Sequence, residues 1–264
     1  MFKAQYKLQG RLITEEATVD VYNSTVQIYN STLHPDQIKW DAPVSGTVYG
    51  TLLNYKGSLA ALGDSVNESP YKAPPQAPIL YIKPANTVIG YGTAIPLPSS
   101  IEQLEIGATL GIVIGQTATN VKKEYALDYV VGYTIANDVT VPHESLFRPA
   151  VKHRARDGFC PIGPWILEKA AIPNPDNLAV CVYINGELVQ KNTTSNLIRG
   201  ISELIADVTE FMTLYAGDVL LVGVPENPPL AKAGDKIRIE IDQVGFLENV
   251  IVPENEIFSG GDVQ

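Results

Sequence analysis

Cysteine is scarce in this chain of 264 residues. The two cysteines, Cys160 and Cys181, form neither a CxxC pair nor a Cys/His metal spacing, and two are too few to cross-link a chain of this length. A disulfide scaffold and a zinc-finger type of fold are thereby excluded. We expect both residues to be buried thiols in a reducing compartment.

Positive charge and long apolar segments are also in short supply. Lys and Arg number 19 against 29 Asp and Glu, which gives a formal net charge of −10. A long phosphate-binding surface would have to form against that field, so nucleic acid is not an expected partner. No uninterrupted apolar run reaches about 18 residues, and the N-terminal segment has no apolar stretch suited to a signal peptide. The sequence therefore favours a cytoplasmic protein without a membrane partner.

Several common catalytic motifs are missing as well. The chain has no GxSxG, no GxxxxGK[ST] and no HExxH motif, and the segment from Gly90 to Gly92 lacks the third glycine of a dinucleotide-binding fingerprint. Nucleophile-elbow hydrolases, P-loop nucleotide-binding proteins, zinc proteases and Rossmann-type dehydrogenases are thus disfavoured.

Glycine and proline, by contrast, are plentiful. The 21 Gly and 19 Pro residues are spread along the chain and separate short β-rich runs. Residues 1–45 alternate polar and apolar side chains, as in Thr18–Tyr22 and Thr25–Tyr29, which is typical of strands with one solvated face. We interpret 1–45 as a small N-terminal β unit and 46–264 as the main domain. The sequence predicts an α+β fold with a mixed β-roll core.

Hydrophobic periodicity predicts the elements of the main domain. The spacing of Ile201, Ile205 and Val208 predicts a helix over Ser195–Thr213, with Thr194 or Ser195 as the N-cap and with Ile201 and Ile205 on the buried face. A second, short helix is predicted over Lys122–Asp128. Strands are predicted at the apolar runs Ile79–Lys83, Leu110–Gly115, Tyr129–Ala136, Val219–Val224 and Lys236–Ile241.

The densest polar region runs from Asn137 to Pro164. Asp138 follows an apolar strand, and basic side chains, among them Arg154, follow on a loop constrained by Gly and Pro. Carboxylates at a strand end suit hard divalent cations, and arginines suit an anionic ligand. Two interpretations remain open: an anion-binding pocket, or a structural arrangement in which Asp138 caps a turn and the arginines are solvated. His143 and His153 are either surface residues or direct participants in such a site.

Six ordered blocks of sequence carry a resemblance to a known family. They are Ser69–Pro75, Tyr81–Gly90, Gly132–Asp138, Arg156–Gly163, Val182–Glu187 and Phe211–Asp218. From about residue 47 to 255 the chain resembles the fumarylacetoacetate hydrolase family. Within the family it is most similar to the amino-terminal half of the decarboxylase/isomerase members of homoprotocatechuate (4-hydroxyphenylacetate) breakdown. Residues 1–45 fall outside the resemblance.

The resemblance implies a β-roll that forms a homodimer, or a heteromer with a related subunit, and that binds a small-molecule dicarboxylate. It also implies Mg²⁺ or Mn²⁺ held by three carboxylates, which stabilises the enolate formed when a C–C bond breaks or a proton moves. An organic cofactor is not expected.

At the metal site implied by the resemblance, this sequence differs from the family pattern at several positions. Asp138 matches the third metal carboxylate, but Gly107 and Thr109 occupy the places of the paired glutamates, and Ser58 and Ala61 occupy those of a His/Glu acid/base dyad. One carboxylate rarely holds Mg²⁺, because the ion prefers several oxygens. We therefore expect metal binding in this chain to be weak or absent. The neighbouring carboxylates that could substitute are Glu105 and Glu144.

The resemblance also implies a set of substrate-binding residues. Arg154 matches a family lysine, and the segment Val222–Pro225 matches a substrate-binding turn whose two hydroxyls are lost here. The full set of candidate substrate-binding residues is Lys83, Arg154, Asp157, Gln190, Gly223 and Pro225.

Functions of different classes remain open on this basis. In the first, the chain is a decarboxylase or isomerase of an unsaturated oxo-dicarboxylate in aromatic catabolism. In the second, it is a catalytically degenerate subunit that supports an intact paralogue. An acylpyruvate-type C–C hydrolase is the least favoured, because hydrolysis depends most directly on the missing His/Glu pair.

Overall fold

The computed structural model describes residues 1–143 and 150–258. Strands dominate the described chain, and the α-helices are short. The strands are β1 (Phe2–Leu8), β2 (Glu15–Asp20), β3 (Thr25–Ile28), β4 (Ser31–Leu33), β5 (Trp40–Asp41), β6 (Val48–Leu52), β7 (Ile79–Lys83), β8 (Val88–Ile89), β9 (Ile95–Leu97), β10 (Leu104–Glu105), β11 (Ala108–Ile114), β12 (Val130–Asn137), β13 (Cys160–Glu168), β14 (Ala179–Ile184), β15 (Glu187–Thr193), β16 (Val219–Leu221), β17 (Leu230–Ala231), β18 (Lys236–Ile241) and β19 (Gly245–Pro253). The α-helices are α1 (Lys56–Ala60), α2 (Val151–Arg154), α3 (Ile201–Phe211) and α4 (Glu254–Phe258).

Several 3₁₀ helices connect these elements. They are Pro35–Gln37, Gly63–Asn67, Ala85–Thr87, Lys123–Tyr129, Lys169–Ala171 and Thr194–Asn196. The short helix predicted over Lys122–Asp128 is therefore present in 3₁₀ form. Among the helices of the described residues, none has both the length and the apolar character needed to cross a membrane.

The strands assemble into mixed sheets. In the described part of the chain, a 12-stranded sheet has the order β4-β3-β2-β1-β13-β12-β11-β16-β6-β7, with β5 paired to β1 and β8 to β13. A 5-stranded sheet has the order β15-β14-β18-β19-β9, and β10 pairs with β17. Parallel pairs, such as β16 with β6, occur among antiparallel ones. The prediction of an α+β fold with mixed β structure and few helices is confirmed.

The N-terminal strands continue the large sheet. Strand β1 runs antiparallel to β13, with Tyr6 opposite Trp165. The ring of Trp40 makes edge contacts with both aromatic residues, at centroid distances of 5.9 Å to Tyr6 and 6.1 Å to Trp165. All three side chains are buried. Backbone pairing and aromatic packing thus hold residues 1–45 against the centre of the fold.

Strands β11 and β12 lie in the middle of the large sheet. Every residue of β11 is buried, which is the reason for its uninterrupted apolar sequence. The two strands are antiparallel, so the N-terminal end of β11 lies beside the C-terminal end of β12. There the backbone N–H of Asp138 donates to the carbonyl of Gly107 at 2.8 Å. This pairing places Asp138 at one edge of the core. Strand β16 is shorter than predicted and ends at Leu221.

The helix predicted over Ser195–Thr213 begins later than expected, at Ile201. The backbone N–H groups of Ile198 and Arg199 donate to the main-chain and side-chain oxygens of Asn54, at 2.7 and 3.0 Å. Those contacts keep Ile198 and Arg199 out of the α-helix, because their N–H groups are bonded to a distant residue, and Thr194–Asn196 forms a separate 3₁₀ helix. A carboxylate oxygen of Asp176 accepts a hydrogen bond from the backbone N–H of Ile201 at 2.8 Å. Asp176 thus caps the first turn of the helix, as Thr194 or Ser195 was predicted to do. The predicted burial of Ile201 and Ile205 is confirmed.

The two cysteines differ in their surroundings. Both are free thiols. Cys160, in β13, is fully buried, and burial raises its pKa to about 12. Cys181, in β14, is only partly buried. The expectation of two buried thiols is therefore correct for Cys160 and wrong for Cys181, whose side chain lies on a strand face that is not fully covered.

Candidate functional site

A cavity of about 260 Å³ lies where the end of β12 and the start of β11 approach β6, β7 and α1. The segment that follows β16 forms the remaining wall. The lining residues are Thr51, Leu52, Leu53, Ser58, Ala61, Leu62, Tyr81, Glu105, Gly107, Asp138, Thr140, His143, Arg154, Val224, Pro225, Glu226, Asn227 and Pro228. The polar region singled out in the sequence and the segment around Pro225 thus meet around one space.

Asp138 is held between two cations at the wall of this cavity. Lys83 Nζ lies 2.9 Å from Oδ1 of Asp138, and Arg154 Nη1 lies 2.8 Å from Oδ2. The hydroxyl of Tyr81 also donates to Oδ2. Burial opposes ionisation of Asp138, but the charges of Lys83 and Arg154 outweigh it and lower the pKa of the carboxyl. Asp138 is therefore an ionised carboxylate with both oxygens engaged.

Lys83 has no exposed side-chain surface. Besides its ion pair with Asp138, its ammonium donates to the backbone carbonyls of Val139 at 3.1 Å and Arg154 at 2.9 Å. An ammonium has three N–H groups. The two carbonyls accept two of them, and the contact with Asp138 Oδ1 is a close ion pair without hydrogen-bond geometry. Lys83 thus links β7 to the end of β12 and to Arg154.

Arg154 brings a guanidinium to the cavity. Its Cζ lies 4.8 Å from the centre of the Tyr81 ring, within the range of a cation–π contact. Desolvation opposes its charge, but Asp138 outweighs this and raises the pKa of Arg154. Nε is buried and finds no acceptor in residues 1–143 or 150–258. The guanidinium is therefore charged, and its Nε–H group remains available because Asp138 is bound through Nη1.

Tyr81 was not singled out as a site residue from the sequence. It lies two positions before Lys83 on strand β7. Side chains two apart on a strand point to the same face, so both reach Asp138. That spacing is the sequence signal that could have identified Tyr81.

Glu105 and His143 lie at the same wall. Glu105 is part-buried, and its backbone pairs with that of Thr140. Burial raises the pKa of Glu105, against the opposing effects of His143 and Arg154. His143 Nδ1 lies 2.9 Å from the carbonyl oxygen of Val141. Two groups able to carry a proton therefore border the cavity next to a cation.

The opposite wall is built around Glu226. The side-chain amide of Gln190 donates to the carbonyls of Glu226 at 2.8 Å and Asn227 at 3.1 Å, and the amide of Asn192 donates to Glu226 Oε1 at 3.1 Å. Gly223 has a φ of +117°, a conformation that favours glycine. Gln190 and Gly223 therefore shape the loop that carries the lining residues Pro225 and Glu226. Glu226 was not identified from the sequence, and only its position after the Val222–Pro225 segment pointed to it.

Other residues named from the sequence lie in different places. Ser58 and Ala61, at the positions of the lost acid/base dyad, do line the cavity. Asp157 is exposed and accepts a hydrogen bond from the Asn86 amide at 2.6 Å, and it is not among the residues that line the cavity. Glu144 lies outside the described residues. The substrate contacts assigned to Lys83, Arg154, Asp157, Gln190, Gly223 and Pro225 stay predictions.

The residues at this wall do not fit a divalent cation. Both oxygens of Asp138 already contact positively charged nitrogens at 2.8 and 2.9 Å, and those charges would repel a dication. Gly107 and Thr109 supply no carboxylate beside it. In the part of the chain that the structure describes, no group of three or more His, Cys, Asp or Glu side chains is arranged to hold a metal ion.

Comparison with known proteins places the chain in a family. The model of the fumarylacetoacetate (FAA) hydrolase C-terminal family matches residues 47–252. The 4-hydroxyphenylacetate degradation bifunctional isomerase/decarboxylase of Escherichia coli is 42% identical over 214 residues, which are 81% of this chain and 49% of that protein. The chain thus spans about half the length of this relative.

Solved structures of the family share the fold. The 2-hydroxyhepta-2,4-diene-1,7-dioate isomerase of Mycobacterium marinum superposes with a TM-score of 0.75 and 22% identity, over 96% of this chain and 99% of that one. A maleylpyruvate hydrolase from Sphingobium sp. SYK-6, solved with manganese(II) and pyruvate, gives a TM-score of 0.74 and 23% identity over 95% and 99%. The family thus includes metal-binding members. By its sequence and its fold, this chain belongs to the fumarylacetoacetate hydrolase family.

Proposed function

We propose that the chain is an isomerase of aromatic-acid catabolism that acts on an unsaturated oxo-dicarboxylate, with decarboxylation as a second activity. The observation that carries this proposal is the juxtaposition of a partly unpaired guanidinium, that of Arg154, with the proton-carrying side chains of Glu105 and His143 around one cavity. Isomerisation of a conjugated oxo acid moves a proton along the carbon chain. It needs a group that holds the oxygen where negative charge develops and a group that transfers the proton.

The charge of the site suits an anionic ligand. Lys83 and Arg154 carry two positive charges against the single negative charge of Asp138, so this trio keeps a net charge of +1. Glu105 and Glu226 also line the cavity, so the positive charge is local to Arg154. Arg154 is part-buried, and a hydrogen bond from a charged, partly desolvated guanidinium to a carboxylate or enolate is stronger than one made in water. In this proposal Lys83 and Asp138 orient Arg154, and Arg154 contacts the substrate.

Turnover without added metal tests the proposal. The purified chain is incubated with 2-hydroxyhepta-2,4-diene-1,7-dioate in the presence of EDTA, and loss of the dienol absorbance is followed. We expect turnover that EDTA does not remove. Arg154→Ala and the charge-conserving Arg154→Lys should both lower it, because neither keeps the planar fork of donors. Arg11→Ala is the control, since Arg11 is exposed and does not line the cavity.

Ligand binding provides a second measurement. Oxalate, a small dianion, should raise the unfolding temperature of the wild type in proportion to RT ln(1 + [L]/Kd), and Arg154→Ala should remove most of that shift. Lys236→Ala, a surface change, should leave it intact. The absence of both turnover and a thermal shift with any small carboxylate would contradict the proposal.

A second candidate function is that of a supporting subunit. The observation in its favour is length: the chain spans 49% of the Escherichia coli isomerase/decarboxylase. A related chain encoded beside it would supply the remaining half. If the two chains co-purify and only their complex turns over the substrate, the supporting role is the correct one. Full activity of the isolated chain would exclude it.

A further inference from the structure

His143 combines two features that are unusual for a histidine at a cavity wall. It lines the cavity, and its Nε2 is buried without a hydrogen-bond partner in residues 1–143 and 150–258. Buried polar atoms nearly always have a partner, so an unpaired ring nitrogen on a residue that lines a cavity indicates a group that a ligand completes.

The other ring nitrogen determines which tautomer is present. Nδ1 lies 2.9 Å from the carbonyl oxygen of Val141, and a carbonyl can only accept. Nδ1 of the neutral ring must therefore carry the proton, which leaves the lone pair on Nε2. The ring also stacks on His153, with centroids 4.9 Å apart and planes inclined by 12°. The Val141 contact and this stacking together hold the ring in one orientation.

The other titratable residues of the cavity differ from His143 in what already contacts them. Asp138 has both oxygens engaged by cations. Tyr81 donates to Asp138, and burial raises its pKa well above the usual value. Glu226 belongs to the opposite wall and not to the wall of Arg154. Asn192 donates to its Oε1, and its Oε2 is buried without a hydrogen-bond partner in residues 1–143 and 150–258. Glu105 has a raised pKa and interacts with His143 and Arg154, so it belongs to the same cluster as the histidine.

We infer that His143 is the proton-transfer residue of this site, with Nε2 as the reacting atom, an inference that rests on the proposed isomerase function. Nε2 takes the hydroxyl proton of a 2-hydroxy-2,4-diene acid. The electron pair of the broken O–H bond completes the carbonyl at carbon 2, the double bond moves to carbons 3 and 4, and carbon 5 takes the proton back from Nε2. One O–H bond breaks and one C–H bond forms, so nothing is oxidised or reduced.

Among the described residues, His153, Glu105 and Arg154 are charged or titratable groups at the same wall as the ring. His153 stacks on one face, and Glu105 and Arg154 interact with the same part of the wall. Lys152 and Arg156 act on His153, whose pKa is lowered by desolvation and by His143. The imidazolium formed during transfer is therefore opposed by Arg154 and favoured by Glu105. Glu105 is a positioning residue in this scheme, because it acts through His143.

The test compares His143→Ala and His143→Gln with the wild type on 2-hydroxyhepta-2,4-diene-1,7-dioate. Loss of a general base lowers kcat by roughly 10²–10⁴-fold, and KM should change far less. Added imidazole should restore part of the rate of His143→Ala in proportion to its free-base fraction, which a purely structural role would not produce. In D₂O the wild-type product should carry deuterium at carbon 5. His34→Ala is the matched control, since His34 caps the 3₁₀ helix Pro35–Gln37 and does not line the cavity.

The outcomes separate this inference from the function on which it rests. If the wild type is active and a folded His143 variant keeps its kcat, the assignment of His143 is wrong and the isomerase function stands. If the wild type shows no turnover, the isomerase function fails and this assignment falls with it. An unfolding midpoint measured for each variant identifies any that fails to fold, and the other variant then decides the result.

Discussion

Lys83 and Asp138 form an ion pair in which neither side chain has any exposed surface. Burying two charges carries a desolvation cost that their attraction offsets only when the remaining hydrogen-bonding groups are satisfied. Here the ammonium has two further carbonyl acceptors, and Oδ2 of the carboxylate has Arg154 and Tyr81 as further partners. Oδ1 has the ion pair with Lys83 and no hydrogen bond within residues 1–143 and 150–258. The pair therefore forms the centre of a network that joins β7, β12 and α2. The guanidinium of Arg154 is the positive group of this network that lines the cavity.

The first prediction concerns the loss of this carboxylate. Asp138→Asn leaves the buried ammonium of Lys83 and the guanidinium of Arg154 without their counter-charge. Breaking a buried pair in this way costs about 3–5 kcal/mol, so the free energy of unfolding in urea should fall by that order. A loss below about 1 kcal/mol would show that the pair is solvated in solution.

The double variant Lys83→Met with Asp138→Asn provides the control for that experiment. It removes both charges, so its loss of stability should be smaller than the sum of the two single losses. Additive losses would mean that Lys83 and Asp138 do not interact energetically.

The second prediction concerns metal. Titration of the chain with Mn²⁺ in a calorimeter should give no stoichiometric binding in the micromolar range, because the oxygens of Asp138 already contact Lys83 and Arg154. Tight binding with a ratio of one ion per chain would contradict the arrangement of this wall. Turnover measured with and without added Mn²⁺ should agree for the same reason.

The third prediction tests helix α3. Ile205 is fully buried on the inner face of the helix, so Ile205→Ala should lower the free energy of unfolding by about 2–5 kcal/mol. Glu210 on the same helix is exposed, and Glu210→Ala should change it by no more than about 0.5 kcal/mol. Equal effects of the two changes on the urea midpoint would show that the buried face is misassigned.

The fourth prediction concerns pH. Burial raises the pKa of Glu105 above its ordinary value of 4.5, against the effects of His143 and Arg154. The folded state therefore favours the protonated carboxyl, and this contribution to stability is complete below pH 4.5 and is lost as the pH rises through the raised pKa. Glu105→Gln should gain stability relative to the wild type over that range, as measured by urea unfolding at a series of pH values. If the difference in free energy of unfolding between Glu105→Gln and the wild type stays constant with pH, the pKa of Glu105 is not raised.

Much of the strand pattern was determined by local sequence. The runs at Ile79–Lys83 and Lys236–Ile241 are strands with the predicted bounds, and the buried strand β11 was predicted from its continuous apolar residues. Local signals suffice for β11 and β18 because a strand buried on both faces must be apolar throughout, and one with a wet face must alternate. The start of α3 could not be predicted in this way. Asn54 and Asp176, distant in the chain, take up the backbone N–H groups before and at Ile201.

The same division holds for the site. The sequence by itself identified Asp138 and Arg154 as polar residues beside a buried strand, and the family resemblance named Lys83 with them. Only the tertiary structure decided that both cations pair with the one carboxylate, since strand β7 brings Tyr81 and Lys83 against a residue more than 50 positions further along the chain. It also decided which nitrogen of His143 is free, because that depends on the distance from Nδ1 to the Val141 carbonyl. Residue types determine which charges are available, and the packing of strands determines which of those charges neutralise one another.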